Sequence, residues 1–152
     1  MPPAAIMGRI EVFLKTIVVG VDGSKQGEAA LGFAAEEAAL RGARLLIVCA
    51  WEVPMMIEPV GVYPGESFEG LRGDTESIVQ AAVARVRVLQ PSVACEGKAI
   101  EGRPAAVLLK EAEHADMIVV GSRGRGGFAS LLLGSVGQEV VHHAPCPVVV
   151  VR

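Results

Sequence analysis

Short apolar runs alternate along this chain with longer stretches in which apolar residues recur every three or four positions. The first run, Thr16-Ile17-Val18-Val19-Gly20-Val21, stops at Asp22-Gly23-Ser24. Behind it Ala30, Leu31, Ala34, Ala35 and Ala38 fall on one helical face, with Ser24 the expected N-cap and Gly42 the expected stop. The second run is Arg44-Leu45-Leu46-Ile47-Val48-Cys49-Ala50-Trp51. A second helix is predicted over residues 75–89, with Ile78, Ala82, Val86 and Leu89 inward. The third strand, over residues 93–100, is weakened by Glu96, Gly97 and Lys98. Gly102-Arg103-Pro104 opens a third helix, where a proline near the first position forfeits no hydrogen bond, and Ala105, Leu108, Leu109 and Ala112 form its apolar face. A fourth strand, Asp116-Met117-Ile118-Val119-Val120, a helix from Ser135 and a last strand, Pro147-Val148-Val149-Val150-Val151, complete a β-α-β-α-β-α-β-α-β series. Such a series predicts an α/β fold, a parallel sheet with helices on both faces. Right-handed crossovers and a switch point then set the ends of strands one and four side by side.

The richest chemistry lies after the fourth strand. The chain there reads Gly121-Ser122-Arg123-Gly124-Arg125-Gly126-Gly127 and, after Phe128 and four further residues, Leu133-Gly134-Ser135. Glycines at the carboxyl end of a parallel strand can take positive φ and let the backbone approach an anion closely. Ser135-Val136-Gly137-Gln138 reads as an S-x-x-Q capping box with Ser135 at the N-cap, so the last helix aims its dipole and free N–H groups at the same place. Phosphate is the natural guest. Asp22 is brought to the mouth of this loop, where its carboxylate could bond ribose hydroxyls or adenine, help hold a divalent cation, or form an Asx-type turn before the first helix. Lys25 could face phosphates, though the exposed first turn of that helix is the favoured place for it. Arg123 and Arg125 could neutralise phosphate charge or remain in solvent. Other nucleotide motifs fit less well. There is no G-x-x-x-x-G-K-[ST], and Gly124-x-Gly126-x-x-Ala129 has too little chain behind it for a dinucleotide fold. No G-x-S-x-G elbow or Ser–His–acid order appears, and no general base is placed near the loop. Residues 52–70 hold Pro54, Pro59 and Pro64, begin at a strand's carboxyl end and form a candidate lid.

Composition narrows the class. The chain has 152 residues, enough for one domain with a real core. It is 51% hydrophobic, yet no apolar run approaches the ~18 residues of a membrane span. With 4% aromatic residues and a net charge of −3, it has neither the stacking platform nor the basic stripe of a nucleic-acid binder. Met1-Pro2-Pro3-Ala4-Ala5-Ile6-Met7-Gly8-Arg9 lacks the apolar core of a secretory signal, so the cytoplasm is expected. Cys49, Cys95 and Cys146 form no C-x-x-C pair and read as small core residues. His142 and His143 close the last helix, where the dipole favours them, without a third ligand for a metal.

Gly121-x2-Gly124-x9-Gly134-Ser135, preceded by Val19-Gly20-Val21-Asp22-Gly23-Ser24 and followed by Cys146-Pro147-Val148-Val149-Val150, resembles the ATP-binding branch of the universal stress protein family. The likeness covers residues 14–152 and leaves 1–13 as an N-terminal extension. It implies a doubly wound five-stranded parallel sheet of order 3-2-1-4-5, adenine-nucleotide α-hydrolase-like, binding ATP with Mg²⁺ or Mn²⁺. Carried over by position, it implies adenine and ribose contacts at Gly20, Val21, Asp22 and Ala50. Phosphate and ribose contacts are implied at Val120, Gly121, Ser122, Arg123, Gly124, Gly134, Ser135 and Val136. The expected function is that of an ATP-binding regulatory protein, a sensor or scaffold for a regulatory partner. A slow ATPase, an autophosphorylating enzyme and a binder of another adenine nucleotide, such as a cyclic one, are the alternatives. A last strand that is apolar throughout and lies at the sheet edge predicts a homodimer joined through Pro147-Val148-Val149-Val150-Val151.

Overall fold

The computed structural model describes residues 15–53, 68–125 and 132–152. In chain order these form β1 (Thr16–Gly20), α1 (Lys25–Arg41), β2 (Arg44–Trp51), α2 (Phe68–Leu89), β3 (Cys95–Glu101), α3 (Pro104–Ala112), β4 (Met117–Gly121), α4 (Ser135–His143) and β5 (Val148–Val151). All the strands pair in parallel, in the order β3-β2-β1-β4-β5. The parallel pairing and the four helices are those the sequence pattern predicts, and the sheet order is the one the family resemblance implies.

Side-chain alternation along the strands divides the core in two. Ile17, Val19, Leu45, Ile47, Met117 and Val119 point to one face and are covered by α1, through Ala30, Leu31, Ala34, Ala35 and Ala38, and by α2, through Ala82 and Val86. Val18, Leu46, Val48, Ile118 and Val120 point to the other and meet Val107, Leu108 and Ala112 of α3 and Val140 of α4. Strands buried on both faces have no polar side to show, which is why they read as unbroken apolar runs. The alanine stripe of α1 lets that helix lie close to the sheet. Its ends are the expected ones: Ser24 Oγ accepts from the Gly27 N–H at 3.1 Å, and Gly42 ends the helix in the left-handed conformation at φ 62°.

Several element details differ from the sequence pattern. α2 begins at Phe68 rather than residue 75, although its first turns carry Gly70 and Gly73. Local bonds support this extension, with Thr75 Oγ1 donating to the Leu71 carbonyl at 2.8 Å and an Arg72–Glu76 pair at 2.9 Å. The buried face of α2 is Thr75, Val79, Ala82 and Val86; Ile78 is half-buried and Leu89 is 52% exposed. The face turns towards Val79 because Gly97 of β3 leaves a gap that Val79 and Val83 fill. α3 buries Val107 with Ala105, Leu108 and Ala112, leaving Leu109 at the margin. β3 starts at Cys95, and none of its residues is fully buried, as its polar interruptions and edge position require.

β1 and β4 are neighbours, yet the chain leaves β1 towards β2 on one side and leaves β4 towards β5 on the other. Connections that diverge open a crevice at the strands' carboxyl ends.

Candidate functional site

Three helices begin around that crevice, and they are capped differently. Ser24 caps α1, whereas Arg103 before α3 and Gly134 before α4 make no side-chain capping bond. First-turn N–H groups of α3 and α4 therefore lack a side-chain acceptor, and their dipoles place positive potential at the crevice.

The expected capping box at the last helix does not form. Gly134 is the N-cap, extended at φ −71° and ψ 169°, and Ser135 is the first helical residue. Gln138 sends its backbone N–H to the Gly134 carbonyl at 3.0 Å and its side-chain amide to the Leu133 carbonyl at 3.0 Å. With glycine in the extended cap position, a serine hydroxyl one residue later cannot reach the N–H groups a cap satisfies. Gly134 is itself anchored, its N–H donating to the Ser122 carbonyl at 2.7 Å, while the Ser122 N–H donates to Val151 of β5 at 2.7 Å. The two ends of the glycine segment are thus tied to each other and to the sheet.

Among the described residues positive φ occurs only at Gly23, Gly42 and Gly102, so Gly121 and Gly124 do not use the conformational freedom expected of them. Space is what they supply. A Cβ on Gly121 would stand 2.9 Å from the Gln26 backbone, and one on Gly124 would stand 2.7 Å from Asp22 Oδ2.

Asp22 forms the Asx-type turn and something more. Its Oδ1 accepts from the backbone N–H of Ser24 at 2.9 Å and from the Ser24 hydroxyl, and its Oδ2 accepts from the backbone N–H of Arg125 at 3.2 Å. One carboxylate therefore fastens the end of β1 to the glycine segment after β4. Behind it, burial pushes the Cys49 thiol up to about 11, the Asp22 carboxylate adding to the rise and the Arg125 guanidinium opposing it. Lys25 lies exposed on the first turn of α1, as expected.

Gly20, Val21, Asp22, Ala50, Val120, Gly121, Ser122, Arg123, Gly124, Gly134, Ser135 and Val136 all line one cavity of about 400 Å³. Gly27, Val48, Pro104, Leu108, Arg125 and Gly137 line it too and were not among the residues carried over. Val48 could have been found, since it shares a strand face with Ala50. Pro104 and Leu108 belong to a helix distant in sequence, and no local signal marks them. Val48, Ala50, Leu108 and Val120 lie in one apolar cluster and give the cavity an apolar wall, and Gly121, Gly124, Gly134 and Ser135, at the glycine segment and the start of α4, line it as well. Asp22 is the sole carboxylate among the lining residues, and no group of three or more potential metal ligands occurs among the described residues. Residues 54–67 of the candidate lid, the Gly126-Gly127 pair and residues 1–14 lie outside the described residues.

A parallel sheet of order 3-2-1-4-5, with this cavity at its switch point, has the features of a recognisable family. The family model described as universal stress protein matches residues 14–152. The chain belongs to the universal stress protein family. A universal stress protein of Thermus aquaticus is 42% identical over 142 residues, covering 91% of this chain and 98% of its own length. One from Mycobacterium tuberculosis is 36% identical over 136 residues, covering 90% of this chain, which spans only 44% of that longer relative. Among solved structures, a universal stress protein in complex with cAMP aligns with a TM-score of 0.69 at 28% identity, covering 91% of this chain and 97% of its own. Another from Archaeoglobus fulgidus, in complex with dAMP, aligns with a TM-score of 0.66 at 26% identity, covering 92% and 99%.

Proposed function

We propose that the cavity binds an adenine nucleotide, ATP foremost, and that this cytoplasmic protein acts as a nucleotide-dependent sensor or scaffold for a regulatory partner. One observation supports the reading: apolar side chains suited to a base, and glycines beside the α4 N-terminus of a kind suited to an anion, line the same cavity. Adenine would lie against Val48, Ala50 and Leu108, ribose near Val21 and Asp22, and phosphates along Gly121 to Gly124, Gly134 and Ser135. The lining residues offer no cation cage of their own. Asp22 is engaged by Ser24 and Arg125, so Mg²⁺ or Mn²⁺ would arrive held by phosphate oxygens and water. The absence of histidine from the lining residues, with their one carboxylate tied into a turn, favours binding over turnover. The cAMP and dAMP complexes of relatives support a second reading, in which a monophosphate is the resident ligand. We further propose that two copies pair through β5.

If ATP binds only the folded state, a hundredfold excess over Kd raises stability by about 2.7 kcal/mol, readable as a thermal shift. Gly124→Val, whose side chain would meet the Asp22 carboxylate, should abolish that shift. A wild type that no adenine nucleotide stabilises would overturn the site. Phosphate release with Mg²⁺ present should fall far below the ~1–10³ s⁻¹ of typical enzymes. Release within that range would replace the sensor with an ATPase.

A further inference from the structure

Arg125 is the one cationic residue at the cavity that the family resemblance does not carry over, and its placement is unusual. Its backbone N–H is fixed to Asp22 Oδ2 at 3.2 Å, so the start of its side chain is anchored at the cavity mouth. The side chain runs to Gly23. Its Nη2 lies over Gly23, only 2.5 Å from where a Cβ of that residue would stand, and Ile78 Cδ1 of α2 is 3.3 Å from the same point. Gly23 has φ +79°, and its bare Cα is what lets the guanidinium rest there. Among the described residues Arg125 takes part in no salt bridge, and it is exposed. A cation held over a glycine turn by packing alone can leave at little loss once an anion comes within reach of its tether.

The charges around the cavity give that movement a purpose. The α3 and α4 dipoles supply roughly half an elementary charge each, less than the charge of about −1.5 to −2 on a terminal phosphate, and Asp22 subtracts from that. Each further phosphate adds negative charge beyond what the helix ends and Arg123 provide, so a second side-chain cation at the mouth gains more from a triphosphate than from a monophosphate. We propose that Arg125 is a specificity-determining residue that distinguishes adenine nucleotides by phosphate count, resting on Gly23 when the terminal phosphates are absent and closing on them when they are present. This rests on the nucleotide reading above and adds to it a reason for choosing ATP over AMP.

Calorimetric titration of the full chain with ATP, ADP and AMP, each with Mg²⁺, tests it for wild type, Arg125→Gln and Arg125→Lys. Unliganded melting curves check that the exposed substitution leaves the fold intact. The expected result is a loss of about tenfold to a hundredfold in ATP affinity for Arg125→Gln, the range of a lost charge-assisted hydrogen bond, with AMP changed less than about twofold and Arg125→Lys intermediate. The salt dependence of ATP binding should also flatten in Arg125→Gln. Equal losses for AMP and ATP, or no loss for either, would overturn the role of Arg125 while leaving the nucleotide site standing. A wild type that binds none of the three would remove both.

Discussion

At the scale of single residues, two glycines separate the demands of space from those of conformation. Gly121 has the Gln26 backbone 2.9 Å from where its Cβ would be, and a backbone cannot step aside as a flexible side chain can. Gly121→Ala should therefore destabilise by about 1–3 kcal/mol, as overpacked positions do. Gly32 lies within α1 with nothing within 4 Å of a built Cβ. Gly32→Ala should stabilise by about 0.5–1 kcal/mol, since alanine is the better helix former. Urea melts of the two variants should move in opposite directions. Cys49 supplies a prediction in pH. Its folded thiol is pushed up from 9.0 to about 11, so between those values the unfolded chain loses the proton first and the folded state holds more of it. The resulting contribution to stability is complete below pH 9 and is lost as pH rises towards 11. Cys49→Ala should fall less steeply than wild type over that window, and parallel curves would remove the assignment.

At the scale of elements, the contact between α2 and β3 turns on a missing side chain. A Cβ on Gly97 would run into the Cγ1 of Val79 and crowd Val83. Gly97→Ala should destabilise, and Val79→Ala, which empties a buried position, should destabilise as well. Because each change makes room for the other, the double variant should be more stable than the two single losses predict, with a coupling on the order of 0.5–3 kcal/mol in denaturant melts. Simple additivity would mean that α2 adjusts its position instead. This contact also explains why α2 buries Val79 beside Ala82 and Val86 in place of Ile78 and Leu89. Ile78 and Leu89 fit a helical stripe as well as Val79 does, and the choice among them is made by a glycine on a strand that follows the helix in sequence.

At the scale of the whole molecule, β5 occupies the edge of the sheet with four consecutive valines, all half-buried in the single chain. Val149 and Val151 pack towards α1 and its neighbours, and Val148 and Val150 towards α3 and α4. Among the described residues no strand pairs with the outer side of β5, and an edge of that kind invites pairing. The proposed homodimer would cover it by antiparallel pairing of β5 with its copy about a two-fold axis. Light scattering should return twice the mass of one chain, and Val149→Asp should lower it. A wild type that scatters as a monomer would dismiss the pairing. β5 also receives the Ser122 N–H through the Val151 carbonyl, so the edge strand touches the base of the glycine segment.

Apolar runs and helical spacing determined the parallel sheet with helices on both faces and the meeting of strands one and four, because burial on both faces leaves a parallel strand no choice of side chain and the crossover rule leaves the chain few routes, while the full strand order was legible only through the family resemblance. The twelve residues that share the cavity came from the family resemblance that the glycine spacing carries. Tertiary structure decided what no local pattern encodes. It put Pro104 and Leu108 in the cavity wall, gave α4 Gly134 as its cap in place of Ser135, and made Asp22 a clamp on Arg125 rather than a free carboxylate. Each of these depends on which distant segment arrives within 3–4 Å, a distance set by the packing of helices on the sheet. The glycines show the division most plainly: their positions were legible in the sequence, but whether each serves a turn or a close approach depended on Gln26, Asp22 and Val79 standing where the fold puts them.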